Sequence, residues 1–123
     1  MEQVSDFIIR FRNRRGNRLK IRNTKWSRKL LGVLEKSNYL SYKLLKRDLK
    51  DLEIEIIKVS FRDMELCSKG SRLSYIRYKD LLVDSRLKKG SGFYILTNSE
   101  WGFITSFEAL RLGVGGKVIL KVY

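Results

Sequence analysis

The hydrophobic pattern of the first residues predicts a helix followed by a strand. Apolar residues recur every three or four positions from Val4 to Phe11, which predicts a helix from Glu2 to about Asn13. After a turn at 15–17, apolar and basic residues alternate strictly from Arg18 to Arg22. This second pattern predicts a strand with one apolar face and one cationic face.

The next stretch predicts a second helix and a β-hairpin. The helical period returns from Trp26 to Leu34, behind a capping residue at Asn23 or Thr24, and the helix ends at 37–38. Strands are predicted over 39–45 and 52–61, joined by a polar turn. The apolar phase shifts inside the second of these strands, which indicates either a β-bulge near 56–57 or burial of both faces.

The remainder predicts a separate lobe that is rich in β structure. Residues 62–70 are polar and mixed in charge, and are interpreted as a linker that ends in a turn at 68–71. A strand over 72–78, a helical turn at 81–83 capped by Asp80 and a loop over 84–92 follow. Further strands are predicted at 93–96, from Gly102 and at 117–123. A helix at 107–112 has a capping box of Thr105 and Glu108 and ends at Gly113.

The predicted fold class is therefore α+β, built from two small lobes. Residues 1–61 form an N-terminal α-β-α-β-β lobe with both helices on one face of its sheet. Residues 71–123 form a C-terminal lobe of mostly antiparallel β structure with short helices. A chain of 123 residues has room for two such lobes.

Charge indicates an anionic partner. The chain carries 27 Lys and Arg against 13 Asp and Glu, a net charge of +14. Residues 1–30 hold ten basic and two acidic residues, so this end alone supplies +8. Nucleic acid is favoured over a membrane because the longest apolar candidate, 52–61, is interrupted by charged residues.

The residue types that many enzymes need are missing. Histidine is absent and Cys67 is the single cysteine, which excludes most zinc sites, Ser-His-Asp and Cys-His nucleophiles, and disulfides within one chain. Carboxylates do not cluster as an acid–base pair requires, and no phosphate-binding glycine motif is present. We expect a non-catalytic binding protein with no cofactor, no metal and no small-molecule substrate.

Basic side chains of the N-terminal lobe are candidate phosphate contacts. In the first helix no acid is spaced to relieve the repulsion among the arginines, and cations in the first turns of the second helix oppose its dipole. The alternatives are a solvated charged face and an arginine-rich targeting peptide, although Glu2 and Asp6 count against the latter. The candidates are Arg10, Arg12, Asn13, Arg14, Lys20, Arg22, Lys25 and Arg28.

A turn rich in hydroxyl and amide groups is the second candidate surface. It runs from Thr97 to Thr105 and offers small hydrogen-bonding side chains at the end of a predicted sheet. On a very basic protein, such a surface suits recognition of a polyanion by its shape. The alternative is an ordinary turn that is polar because it is solvated.

Four strings resemble the family of ribosomal protein eight of the small subunit, and the resemblance covers nearly the whole chain. Residues 5–13 and 24–40 are similar to the family's first two helices. Ser68–Tyr75 resembles its Ser-Lys-Pro-Gly-x-Arg-Ile-Tyr string, with Gly70 in place of the proline. Asn98–Gly116 resembles its signature turn, Ser-Thr-Ser-(Lys/Arg)-Gly-(Val/Ile)-(Met/Ile)-Thr, and the helix and Gly-Gly pair that follow it.

The resemblance implies a two-lobed protein that binds the central domain of small-subunit rRNA early in assembly, beside neighbouring small-subunit ribosomal proteins. In the family the second lobe reads a distorted stem in its minor groove, which in A-form RNA is wide and lined by 2′-hydroxyls. Carried over by position, the contacts of this lobe are Tyr75, Thr97, Asn98, Ser99, Trp101, Thr105 and Lys117.

The turn departs from the family pattern at two positions. Glu100 falls on the second serine and Trp101 on the cation, whereas an alignment shifted by one residue restores two hydroxyls through Thr97 and Ser99. Both alignments stay open. Trp101 would replace the cation by stacking on an exposed base or ribose, an interaction of ~1–3 kcal/mol. Lys117 stands where many bacterial members have a glutamate, and a cation there favours a phosphate contact.

Composition favours an organellar ribosome, and the mitochondrial matrix is the expected compartment, with another organelle or the bacterial cytoplasm as alternatives. One alanine beside many Ile, Leu, Lys, Phe, Tyr and Asn residues is typical of an AT-rich coding genome. The missing cleavable leader and the divergent turn support the same expectation. The alternative function is an extra-ribosomal RNA-binding or remodelling factor that uses the same basic surface.

Overall fold

The computed structural model describes residues 2–67, 75–84 and 92–123. The chain divides into two compact units, Met1–Arg62 and Asp63–Tyr123. Each unit has its own sheet, and all strand pairs in both sheets of the described residues are antiparallel. The fold is therefore α+β, as the sequence predicts.

The first unit has the element order α-β-α-β-β. Its elements are α1 (Glu2–Arg12), β1 (Arg18–Arg22), α2 (Lys25–Lys36), β2 (Leu40–Arg47) and β3 (Asp51–Val59). Of the two capping candidates, Thr24 caps α2, because its side chain accepts a hydrogen bond from the Ser27 backbone N–H at 3.1 Å. Asn23 instead donates to the carbonyl oxygen of Asp48.

The core of the first unit lies between its helices and its sheet. β3 is the central strand, with β1 on one side and β2 on the other. α1 packs against β1 and α2, and α2 packs against β2. Each large apolar side chain buried here contributes ~1.5–3 kcal/mol to stability. Six of them are fully buried: Val4, Phe7, Ile21, Leu30, Leu34 and Ile54.

The phase shift in β3 is a β-bulge and not burial of both faces. Residues 41 and 42 of β2 pair with Lys58 and Ile56, so Ile57 is an extra residue in β3. Ile56 is buried, whereas Ile57 is 67% exposed. The bulge therefore turns the rest of the strand without adding a second buried face.

The second unit is mostly antiparallel β structure with two short helices in its described part. Gly113 has φ +72° and forms the left-handed C-cap that the sequence predicts. The elements are β4 (Met64–Leu66), β5 (Tyr75–Ile76), α3 (Tyr78–Leu82), β6 (Phe93–Asn98), β7 (Gly102–Thr105), α4 (Ser106–Leu112) and β8 (Gly116–Val122).

Strand β8 organises the sheet of the second unit. It pairs with β4, β5 and β6, and β7 pairs with β6. Buried side chains of α3 and α4 pack against this sheet in one cluster. The cluster contains Leu81, Leu96, Ile104, Ala109 and Val118.

Two assignments differ from the prediction, apart from shifts of one or two residues at the ends of other elements. Met64–Leu66 forms strand β4 within the predicted linker, and three residues are too few to show a period of two. Helix α3 begins at Tyr78, where the sequence predicts a strand, and its N-cap is Arg77. Asp80 is therefore the third residue of α3 and not its cap; its carboxylate accepts a hydrogen bond from the Arg77 backbone N–H.

Part of the predicted second lobe lies outside the described residues. This holds for the turn at 68–71, the start of the strand at 72–74 and most of the loop over 84–92. Among the helices that the structure describes, none combines the length and apolarity needed to cross a bilayer.

Candidate nucleic-acid interface

The polar turn of the second unit is a three-residue loop between β6 and β7. Asn98 pairs with Gly102 across the hairpin, so Ser99, Glu100 and Trp101 form the loop. Gly102 has φ +70°, the left-handed conformation that commonly closes such a loop and that favours glycine. All three loop side chains are exposed. The loop thus presents a hydroxyl, a carboxylate and an indole ring to solvent.

The Asn98 side chain holds this loop in shape. Its Oδ1 accepts hydrogen bonds from the backbone N–H groups of Glu100 and Trp101 at 2.8 and 3.2 Å. Its Nδ2 donates to the carbonyl oxygen of Gly115 at 2.8 Å. One amide therefore ties the β6–β7 loop to the segment that leads into β8. Asn98 positions the loop, and its own hydrogen-bonding groups are already engaged.

Four residues on four adjacent strands form a transverse row beside the loop. Lys117 of β8 pairs with Tyr75 of β5 on one side and with Thr97 of β6 on the other, and Thr97 pairs with Phe103 of β7. Directly opposed residues of an antiparallel sheet share a face, so these four side chains project together. Tyr75 is 65% exposed and the other three are half-buried. Across the strands from β5 to β7, the transverse row presents a phenol, an ammonium, a hydroxyl and a phenyl ring.

The opposite face of the same strands is packed. Leu96 pairs with Val118 and with Ile104, and all three are buried in the cluster below the helices. A Cβ at Gly116 would lie 2.7 Å from the Thr97 carbonyl oxygen, so β6 and β8 approach more closely there than other residues allow. The transverse row therefore rests on a rigid support.

Thr105 is not placed to contact RNA. It is 2% exposed, and its Oγ1 accepts a hydrogen bond from the Glu108 backbone N–H at 3.2 Å. The capping role predicted for it from sequence is confirmed. The same capping role removes Thr105 from the candidate contacts, because its hydroxyl is buried and engaged.

The arginines of α1 are more occupied than the sequence suggests. Asp6 lies one turn before Arg10, and their Oδ2 and Nε atoms are 3.1 Å apart, so an acid does relieve the local repulsion. Arg10 also donates to the Lys20 carbonyl oxygen at 3.2 Å. The Arg14 guanidinium donates to the Phe11 carbonyl oxygen at 2.9 Å and lies 4.6 Å from the Phe11 ring centroid. Arg10 therefore helps to hold α1 on β1, whereas Arg14 binds back onto the last turn of α1 itself.

The cationic face of β1 lies beside an acidic strand. All three of its outward cations are exposed, as predicted. Each is directly opposite a carboxylate of β3, which reduces the potential that this face presents to a phosphate. The pairs are Arg18 with Glu55, Lys20 with Glu53 and Arg22 with Asp51.

The remaining candidates of the first unit are exposed. Arg12 and Asn13 lie at the C-terminal end of α1, and Lys25 and Arg28 lie in the first turns of α2. Arg28 donates to the Asn23 side-chain oxygen, which fixes the guanidinium near the start of the helix. Arg12, Lys25 and Arg28 thus present positive charge at exposed positions of the helices, and Asn13 presents an amide.

Sequence reasoning missed Phe103 as a member of the transverse row. A phenylalanine after a glycine reads as an ordinary strand residue, and only the register places it beside Thr97. In the described part of the chain, no group of three or more Cys, Asp or Glu side chains comes together as a metal site. The row offers two aromatic rings, one hydroxyl and one ammonium group.

Comparison with known proteins shows the family of the chain. The family model of ribosomal protein S8 matches residues 2–123. The small ribosomal subunit protein uS8 of Orientia tsutsugamushi (strain Boryong) is 29% identical over 131 residues, covering 99% of this chain and 97% of that protein. The uS8 of Wolbachia pipientis wMel is 26% identical over 133 residues, with 99% and 97% covered. The protein uS8c of Tetradesmus obliquus is 26% identical over 137 residues, with 99% and 98% covered.

Proposed function

Since this chain belongs to the ribosomal protein S8 family, we propose that its role as a structural constituent of the small ribosomal subunit depends on direct binding of small-subunit rRNA. The RNA is a stem of the central domain, as the resemblance to the family implies. Through this contact the protein supports subunit assembly and translation. Other small-subunit ribosomal proteins are its further neighbours.

The transverse row of Tyr75, Lys117, Thr97 and Phe103 is the observation that carries this proposal. A wide minor groove exposes riboses and phosphates at the same time. Aromatic faces pack on riboses or unpaired bases, a threonine hydroxyl bonds a 2′-hydroxyl, and an ammonium pairs with phosphate. A rigid sheet holds these groups in one line, so they select a groove of one shape.

The exposed loop beside the row extends the contact. Ser99 offers a hydroxyl, and Trp101 offers a ring that is 53% exposed for stacking. Glu100 repels phosphate, which places the loop toward riboses and bases and away from the phosphate chain. The amide clamp of Asn98 keeps this arrangement ready before RNA arrives.

The first unit supplies further, less specific attraction. Arg12, Asn13 and Lys25 are exposed and provide phosphate contacts, and the exposed Arg28 adds positive charge to the start of α2. Lys20 and Arg22 contribute less because the β3 carboxylates lie opposite them. Phosphate contacts raise affinity for any RNA and position the protein, whereas the transverse row provides selection.

This family is one of structural proteins and not of enzymes. The relatives are named as small-subunit proteins, so an extra-ribosomal remodelling factor is not favoured. The protein acts in the ribosome of a cytoplasm or an organelle. We propose that this is the mitochondrial ribosome, with support from the divergent loop and from an amino-acid composition typical of an AT-rich coding genome. Detection of the protein in small subunits purified from plastids or from cytosol would overturn the mitochondrial assignment.

A filter-binding titration tests RNA recognition. The probes are a central-domain stem fragment and a scrambled hairpin of equal length. Lys117→Ala should weaken binding to the stem and lower the salt slope by about one unit, because one phosphate contact is lost. Tyr75→Ala should lose ~1–3 kcal/mol at unchanged salt slope. Lys121→Ala is the matched control on the same strand, since Lys121 lies against the Tyr123 ring. Equal losses for Lys117→Ala and Lys121→Ala, or equal affinity for the two RNAs, would contradict the proposal.

A further inference from the structure

The first unit contains an open groove between α2 and β2 that takes no part in the proposed RNA contacts of the second unit. Its volume is about 220 Å³. Leu52 and Ile54 of the central strand form its floor together with Leu31 of α2. Tyr42, Leu44 and Arg47 line the β2 side, and Arg28 lines the α2 side.

The groove exists because two helices do not cover three strands. Leu44 pairs with Ile54 and Arg47 with Leu52, so these β2 side chains share the helix-facing side of the sheet. On that side Ile54 is fully buried, whereas Leu44 is 49% exposed. β2 is also an edge strand. An apolar sheet face is normally covered by another element, and here part of it is left open.

The rim of the groove is positively charged. Arg28 and Arg47 stand on its two sides, and no carboxylate belongs to its lining. The pKa of the Tyr42 phenol is raised, first by burial and second by the negative charge of Glu35, which lies one helical turn beyond Leu31 on α2. An occupant therefore needs an apolar group for the floor and negative charge for the rim.

We propose that this groove receives an apolar side chain flanked by carboxylates, carried by a segment of another protein of the small subunit. The proposal rests on the proposed function, because that partner is present only in the assembled particle. A second copy of this chain is a poor occupant, since two chains of net charge +14 repel. RNA is also a poor one, because the floor consists of aliphatic side chains, which give a base neither a hydrogen bond nor a stacking plane, so RNA would meet only the rim and leave the floor open.

Photo-crosslinking in intact subunits tests the occupant. Benzoylphenylalanine replaces Leu44 in the groove or, as a control, Leu49, which is 97% exposed at the hairpin tip and does not line the groove. Subunits are first isolated by sedimentation, which tests incorporation separately. We expect the probe at position 44 to capture one protein through a segment with apolar residues flanked by Asp or Glu, and the probe at 49 not to capture that segment.

Several outcomes would overturn the proposal. They are a crosslink to rRNA, a crosslink to a second copy, a captured segment without acidic residues, and no crosslink at 44 in correctly sedimenting subunits. Failure to sediment with subunits at all would instead count against the proposed function, provided that the same variant unfolds with the thermal midpoint of the parent protein.

A charge reversal tests the rim. Arg47→Glu should lower the yield of the protein crosslink from position 44 about tenfold, corresponding to ~1.4 kcal/mol of lost affinity. Lys43→Glu changes the net charge equally on the same strand, but Lys43 pairs with Glu55 on the opposite face. Its crosslink yield should stay at the parent level. Equal yields for the two variants would show that rim charge does not select the occupant.

Discussion

At the scale of single residues, Asn98 illustrates how a contact residue and a positioning residue differ. Its position in the turn suggests direct contact with RNA. All three hydrogen bonds of its amide, however, go to the protein's own backbone. A hydroxyl side chain at this position would be too short to serve both the loop and Gly115. In the proposed interface, Asn98 therefore acts through the loop that it holds.

Replacing Asn98 separates these two roles. Asn98→Ala removes three hydrogen bonds, and we expect a loss of ~1–3 kcal/mol in the free energy of unfolding, measured in urea. Ser99→Ala, at the exposed neighbouring position, should leave stability unchanged and weaken stem binding only. An Asn98→Ala protein as stable as its parent would show that these three hydrogen bonds do not hold the loop in shape.

The hydrogen bonds of the Asp48 carboxylate predict how stability depends on pH. Its Oδ1 accepts hydrogen bonds from the backbone N–H groups of Asp51 at 2.7 Å and Lys50 at 2.9 Å, and these bonds hold the pKa of the carboxyl below its usual 3.8. Because the folded pKa is lowered, the stabilisation is complete above the unfolded pKa and is lost as pH falls through the folded pKa. NMR titration of the Lys50 and Asp51 amides should give a midpoint below 3.8. A midpoint at or above that value would contradict it.

At the scale of elements, the β1–β3 ladder shows what strand patterns reveal and what they hide. The alternation at 18–22 predicts β1 at its observed bounds. The acids of β3 are equally visible in the sequence. Which cation meets which acid depends on the register, and register is fixed by packing of the buried faces. The positive potential of the cationic face of β1 is therefore lower in the sheet than the sequence suggests.

Charge variants on this ladder should reveal how far the β3 carboxylates offset the charge of the β1 cations. Lys20→Ala should lower the salt slope of stem binding by less than the roughly one unit expected for a full phosphate contact. Glu53→Gln, directly opposite Lys20, should strengthen binding at low salt because it releases that cation. Fluorescence anisotropy over a salt series measures both. Weaker binding of the Glu53→Gln protein would show that β3 carboxylates assist RNA binding.

The strand that sequence reasoning missed, β4, has three residues, which are too few to show a period. Its existence depends on β8, which offers hydrogen-bonding partners distant in sequence. β5, by contrast, lies inside the strand predicted over 72–78. Long elements with a buried stripe, such as α1 and α2, were predictable because their own side chains fix the pattern.

At the scale of the whole molecule, composition predicted the class of partner but not the contact surface. A net charge of +14 favours nucleic acid, and the order of elements agrees with the family. The transverse row and the groove, by contrast, require knowledge of which strands are neighbours. Three of the row's members were candidates for other reasons, and Phe103 was not.

Electrostatic attraction of the whole chain should be separable from recognition. If six to ten phosphates are contacted, raising salt from ~50 to ~200 mM should lower affinity by roughly 10³–10⁵. The ratio of affinities for the stem and the scrambled hairpin should fall much less, since shape contacts release few ions. A ratio that collapses to one with added salt would mean that charge alone selects the RNA.

The pairing of β8 also sets an order of events during synthesis. The first unit has all of its strands before residue 60, so its core can close early on the nascent chain. The sheet of the second unit cannot close until residues 116–122 have left the exit tunnel. These residues form β8, the strand with which β4, β5 and β6 all pair. A half-made copy of this protein therefore carries the cations of the first unit while lacking the transverse row that we propose to discriminate one stem from another.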